Sequence, residues 1–113
     1  MPRRLTRSPL ANAFATRYTR DVEFEWNSRK AAGNFRKHQV SFQEAATVFG
    51  DFLSATAADP EHSVEENRYI TIGLSNRGRL LMVAHAELHG RVRIISARTL
   101  TPRERIAYEE TQE

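Results

Sequence analysis

The sequence predicts an α+β domain in which helices pack on one face of an antiparallel sheet, in the order strand, helix, helix, three strands, helix. Three observations carry this. Residues 68–98 hold three alternating apolar segments separated by turn-forming residues. Two capping boxes, Ser41-Phe42-Gln43-Glu44 and Thr101-Pro102-Arg103-Glu104, each open a helical stretch. The chain contains no repeat or low-complexity tract, and its longest apolar run, over 80–84, is far too short to span a bilayer.

Residues 1–20 carry Arg3, Arg4, Arg7, Arg17 and Arg20 among sparse apolar positions. They read as a poorly ordered basic arm, either a clamp for RNA or a partner or a plain extension, ahead of a single domain over 21–113. Apolar and acidic residues alternate over 22–26, the pattern of a half-buried strand. Asn27 offers an N-cap for a helix reaching about His38, with Ala31, Phe35 and His38 on one side. Gly33 weakens that helix by about 1 kcal/mol relative to Ala, which fits a neighbour packed close to it. After Ser41, the residues Phe42, Ala45, Ala46, Phe49, Phe52 and Leu53 follow the spacing of a buried helical stripe. Residues 56–66 are polar, contain Pro60 and His62, and read as a surface loop.

Alternation over 68–74 puts Ile70, Ile72 and Leu74 on one face. Ser75-Asn76-Arg77-Gly78 supplies a turn, residues 80–87 return, Leu88-His89-Gly90 turns again, and 92–98 completes an antiparallel meander. Pro102 stands at the first position of a last helix over 102–111.

The 113 residues carry a formal charge of +3 and a pI near 9.8, a balance that favours an acidic partner such as nucleic acid. Without cysteine, disulfides and thiolate metal sites are excluded. His38, His62, His85 and His89 form no helical metal-binding pair, the carboxylates are dispersed, and no serine sits on a glycine elbow. What remains is metal-free, cofactor-free phosphodiester chemistry. A base takes the 2′ proton, cations hold charge on the phosphoryl oxygens, and an acid protonates the leaving oxygen.

Arginine suits the second role, because its planar fork bonds two phosphate oxygens and stays charged. Histidine suits the first and third, and lysine or tyrosine serves if its pKa falls. Lys37 is either a base or a cation favoured by the helix C-terminus. His38 and His85 lie on apolar sides, where a packed structural role competes with catalysis. Arg91 and Arg93 share one strand face; Arg98 joins them only if the strand bulges or ends before it. Tyr108 lies one helical turn after Glu104 and is either functional or simply exposed.

Phe24-Glu25-Trp26-Asn27, Lys30, Asn34, Lys37-His38 and Val40-Ser41-Phe42 with Glu44-Ala45-Ala46 resemble the start of BrnT-type toxins. Glu66 with Arg68, Gly73-Leu74-Ser75, Ile94-Ile95-Ser96-Ala97-Arg98, and Arg103-Glu104-Arg105 with Tyr108 resemble the rest, so the resemblance runs from 22 to about 110. It implies a RelE-like fold and a cytoplasmic bacterial ribonuclease toxin that cleaves RNA and blocks translation. It also implies a cognate BrnA-like antitoxin, with operator DNA bound only through the complex. The family's basic positions fall on Lys37, Arg93 and Arg98, with His85 and Tyr108 beside them. His38, Arg68 and Arg91 are further candidates for contacts to the substrate. The chain departs from the family pattern at Gln39, where glycine is common, and at Leu100, where alanine is.

Overall fold

A computed structural model describes residues 22–59, 61 and 67–112. Its elements are β1 (Glu23–Glu25), α1 (Ser28–His38), α2 (Phe42–Thr47) running into a 3-10 turn (Val48–Gly50), β2 (Ala55–Ala58), β3 (Arg68–Leu74), β4 (Leu80–Leu88), β5 (Arg91–Thr99) and α3 (Pro102–Thr111). The strands form one mixed sheet in the order β1-β5-β4-β3-β2, with β1 parallel to β5 and the other pairs antiparallel. The basic arm expected over 1–20 lies outside the described residues, as do Pro60, His62 and Glu66.

The helices start where side chains replace missing backbone acceptors. Asn27 Oδ1 accepts from the Lys30 amide at 3.0 Å, and Ser41 Oγ accepts from the Glu44 amide at 3.0 Å. Thr101 and Glu104 complete a reciprocal capping box, with Pro102 at the first helical position.

Sheet register sorts every strand residue onto one of two faces. Phe24, Val92, Ile94, Ala97, Leu81 and Val83 point to the face where α1 and α2 lie, and they form one core with Val40, Phe42, Ala45, Val48 and Phe49. Ile70, Ile72, Leu80 and Met82 point the other way, where they meet Ala55, Leu100 and Tyr108 of α3. The helices therefore lie on both faces, which corrects the one-sided packing expected from the sequence. Alternating strands with apolar residues at both parities require this, because each set needs its own cover.

Two further expectations are corrected. The segment expected as a loop from residue 56 begins with edge strand β2, whose Ala-Thr-Ala-Ala sequence has little strand propensity and is ordered by pairing with β3. The buried stripe predicted for the second helix stops short: Phe52 and Leu53 are exposed. The Asp51 carboxylate ends that stripe by accepting from the Leu53 amide at 3.0 Å and the Leu74 amide at 2.8 Å, which turns the chain toward the sheet.

Candidate functional site

The site begins with an irregularity in β5. His85 pairs with Ile94 and Ala84 with Ser96, so Ile95 is an extra residue with no partner on β4. In an unbroken strand Arg98 would point away from Arg91 and Arg93. The bulge shifts the alternation by one, so Arg91, Arg93, Ser96 and Arg98 all point to the face opposite α1 and α2. This meets the condition that sequence alternation set for Arg93 and Arg98.

Register then adds Arg68. Glu25, Arg93, Ala86 and Arg68 form one row across β1, β5, β4 and β3. Arg93 and Arg68 thus flank a small residue, two strand spacings or about 10 Å apart at their backbones. Ala86 is buried between them, and the next row continues this low floor with Ala84 beside Ser96. By register, long cationic side chains stand on either side of small residues, which makes a positively charged trough between β3 and β5.

Within it the arginines are held differently. Arg91 Nη1 lies 2.9 Å from Glu25 Oε1 at the exposed rim. Arg98 forms a bidentate fork with Glu104, at 2.7 Å and 2.9 Å, and also donates to the Thr99 carbonyl and the Met82 sulfur. Four of its five N–H groups are engaged inside the protein. This hydrogen bonding holds the Glu104 carboxyl down at about 2 and raises the Arg98 guanidinium above its usual value. Arg98 therefore fastens α3 to the sheet, a partnership the sequence hid because it joins a strand to a capping residue.

Three residues expected at the site stand elsewhere. His85 is 0% exposed on the packed face, stacked on Tyr69 and edge-on to Phe49. Its Nε2 bonds Thr71 Oγ1 at 2.7 Å, while Nδ1 lies 2.8 Å from Glu87 Oε1 without hydrogen-bond geometry. Lys37 (exposed) and His38 (half-buried) end α1, the helix packed on that same face. Tyr108 does share the arginine face, but it is 6% exposed and its hydroxyl donates to the Leu53 carbonyl at 2.8 Å. That bond anchors α3, so His85 and Tyr108 are both engaged inside the fold.

Asn34 does work that sequence reasoning did not assign. Its amide oxygen accepts from the Ala97 N–H at 3.1 Å, and its nitrogen donates to the Ala97 carbonyl at 2.8 Å and the Val40 carbonyl at 3.0 Å. It pairs the edge of β5 as a neighbouring strand would, and so fixes the Lys37–His38 end of α1 beside the residue before Arg98. A poor helix former on the inner side of a helix was the available signal. The close neighbour expected at Gly33 is no tight fit: a β-carbon there would meet only Arg36, at 3.9 Å.

Among the described residues no group of His, Asp and Glu side chains could hold a metal ion, and no helix is long and apolar enough to cross a membrane. The model of a family described as "Ribonuclease toxin, BrnT, of type II toxin-antitoxin system" matches residues 26–104. The crystal structure of the Brucella abortus ribonuclease toxin BrnT matches with a TM-score of 0.54 and 18% identity, over 71% of this chain and 97% of that one. At that identity the likeness is one of fold. No curated protein sequence matches.

Proposed function

Because this chain belongs to the BrnT family of ribonuclease toxins of type II toxin–antitoxin systems, we propose that it is a metal-independent endoribonuclease acting at the trough between β3 and β5. The observation that carries this reading is the bulge at Ile95, which gathers Arg91, Arg93 and Arg98 on the face that also bears Arg68. An RNA phosphate lying over Ala86 is gripped by Arg93 and Arg68, with Arg91 at the rim and Arg98 fixing the helix that bounds the site. The 2′-oxygen gives its proton to a base and attacks phosphorus, the bond to the 5′-oxygen breaks, and that oxygen takes up a proton. Lys37 or His38, at the end of α1 across the β5 edge from the trough, is the base in this reading, reached by RNA that wraps round that edge. The products carry a 2′,3′-cyclic phosphate and a 5′-hydroxyl, translation in the bacterial cytoplasm is blocked, and a BrnA-like antitoxin neutralises the activity.

The test is incubation of the purified protein with RNA in a metal chelator. Fragments ending in cyclic phosphate, lost in a folded Arg93→Ala variant, support the assignment; full cleavage by that variant sinks it. One observation favours a second reading, a face that binds nucleic acid without cutting it: among the described residues the trough holds cations but no histidine, since His85 is buried on the opposite face. In that case RNA is retained intact and binding weakens steeply with salt.

A further inference from the structure

Helix α1 carries Arg29, Lys30, Arg36 and Lys37 in 11 residues and no carboxylate. All four are exposed. At about 3.6 residues per turn, Arg29, Arg36, Gly33, Lys37 and Lys30 occupy one arc of the helix, opposite the inward Ala31, Asn34 and His38.

Solubility alone does not account for that arc. A solvated helix mixes signs, as α3 does with Arg103 and Arg105 among Glu104, Glu109 and Glu110. Position argues the same way: Arg29 and Lys30 stand in the first turn, where the helix dipole disfavours a cation. Partners are a third point. Arg77, Arg79, Arg91 and Arg98 each face a carboxylate. Among the described residues none pairs with the four cations of α1. Stability would favour acids here, yet the chain keeps bases.

The arc also leads somewhere. Its Lys30–Lys37 flank adjoins Asn34, which is bonded to β5 at Ala97. Pairing with β1 has already stopped at Arg93, so this stretch of β5 edge separates the helix from Ser96 and Arg93 on the trough face. We propose that the outer face of α1 is a track for the backbone of single-stranded RNA, which passes round the β5 edge beyond its pairing with β1 into the trough. The inference rests on the ribonuclease reading for its destination, but not for its test.

That test is the affinity of the full chain for a fluorescent 20-nucleotide 2′-O-methyl RNA, which cannot be cut and so reports binding alone. Removing two phosphate contacts with Arg29→Ala and Arg36→Ala should make the slope of log affinity against log salt shallower by about 1.4, and lower affinity about ten- to thirty-fold at 0.1 M salt. Arg29→Glu with Lys30→Glu should also weaken binding while the melting temperature holds or rises, because first-turn carboxylates suit the dipole. Losing Arg77 and Arg105 removes as much charge elsewhere and should leave the slope unchanged. Wild-type affinity in the α1 variants, or an equal loss in the Arg77/Arg105 control, overturns the track. The first outcome leaves the face to an acidic protein partner. Absence of cleavage with the α1 effect intact would remove the nuclease assignment and keep the track.

Discussion

The two faces of the sheet are built from the same strands and meet opposite demands. On one, Phe24, Leu81, Val83, Val92 and Ile94 close against α1 and α2 with Phe42 and Phe49, and even a histidine is sealed in. On the other, α3 meets the Ile72–Met82 end, and the next rows carry Arg68, Arg91 and Arg93 beside Ala84, Ala86 and Ser96. Away from the end that α3 covers, a residue's parity, reset once at Ile95, decides whether it contributes to stability or to binding. Substitutions on the packed face should therefore move stability, and those on the arginine face activity.

The largest expected effect is on the packed side. Phe49 is 1% exposed, with ring centroids 5.4 Å from Phe24 and 4.8 Å from His85. Phe49→Ala should cost about 3–5 kcal/mol of unfolding free energy in denaturant titration, while the fraction still folded binds RNA normally. Weaker binding per folded molecule would mean that the faces are coupled. Arg93→Ala is the reciprocal case. It should lower RNA cleavage by about 10²–10³-fold, the scale of losing one transition-state donor, with stability changed by less than about 1 kcal/mol. A comparable loss of stability would reassign Arg93 to the scaffold.

Much of the packed face was legible in the sequence, because it rests on local rules. Caps at Asn27, Ser41 and Thr101, the Phe42–Ala45–Phe49 stripe and the alternation of β3 to β5 all act within a few residues. What escaped depends on partners distant in sequence. The β1–β5 pairing joins residues almost 70 positions apart, and β2 is held by its neighbour rather than by its alanines. The bulge was visible only as a condition, since one chain cannot reveal which residue lacks a partner on the next strand. Arg98 was singled out as a phosphate contact, and its fork with Glu104 could not be read from either residue alone.

That fork gives a smaller, pH-dependent prediction. Glu104 titrates near 4.5 when unperturbed and near 2 in the fold, first because of its hydrogen bonds with Arg98. A depressed carboxylate contributes stability in full above about pH 4.5 and loses it as the pH falls toward 2. With roughly a third of each side chain exposed, the contribution should be about 1–2 kcal/mol at neutral pH. Glu104→Gln should remove it and flatten the stability profile between those values. A profile as steep as wild type there would assign acid sensitivity to the other lowered carboxylate, Glu44, held by Arg79.

The smallest effect concerns the joint between α1 and α2. Gln39 closes α1 in the left-handed region, φ 58°, with its N–H bonded to the Phe35 carbonyl at 2.8 Å. That conformation costs a residue with a β-carbon about 1 kcal/mol and glycine almost nothing, so Gln39 carries a local strain that a glycine would not. The helix terminates correctly without one because its end is fixed from outside: Asn34 grips Val40, and Arg79 donates to the Gln39 carbonyl at 3.1 Å. Gln39→Gly keeps both bonds, which involve only the backbone at this joint. It should raise unfolding free energy by about 0.5–1 kcal/mol, less the extra backbone entropy of an unfolded glycine. RNA affinity should not change, since the substitution touches neither the arginine face nor the cations of α1. A gain in stability accompanied by altered affinity would show that the angle of α1 against the β5 edge is itself part of the RNA surface.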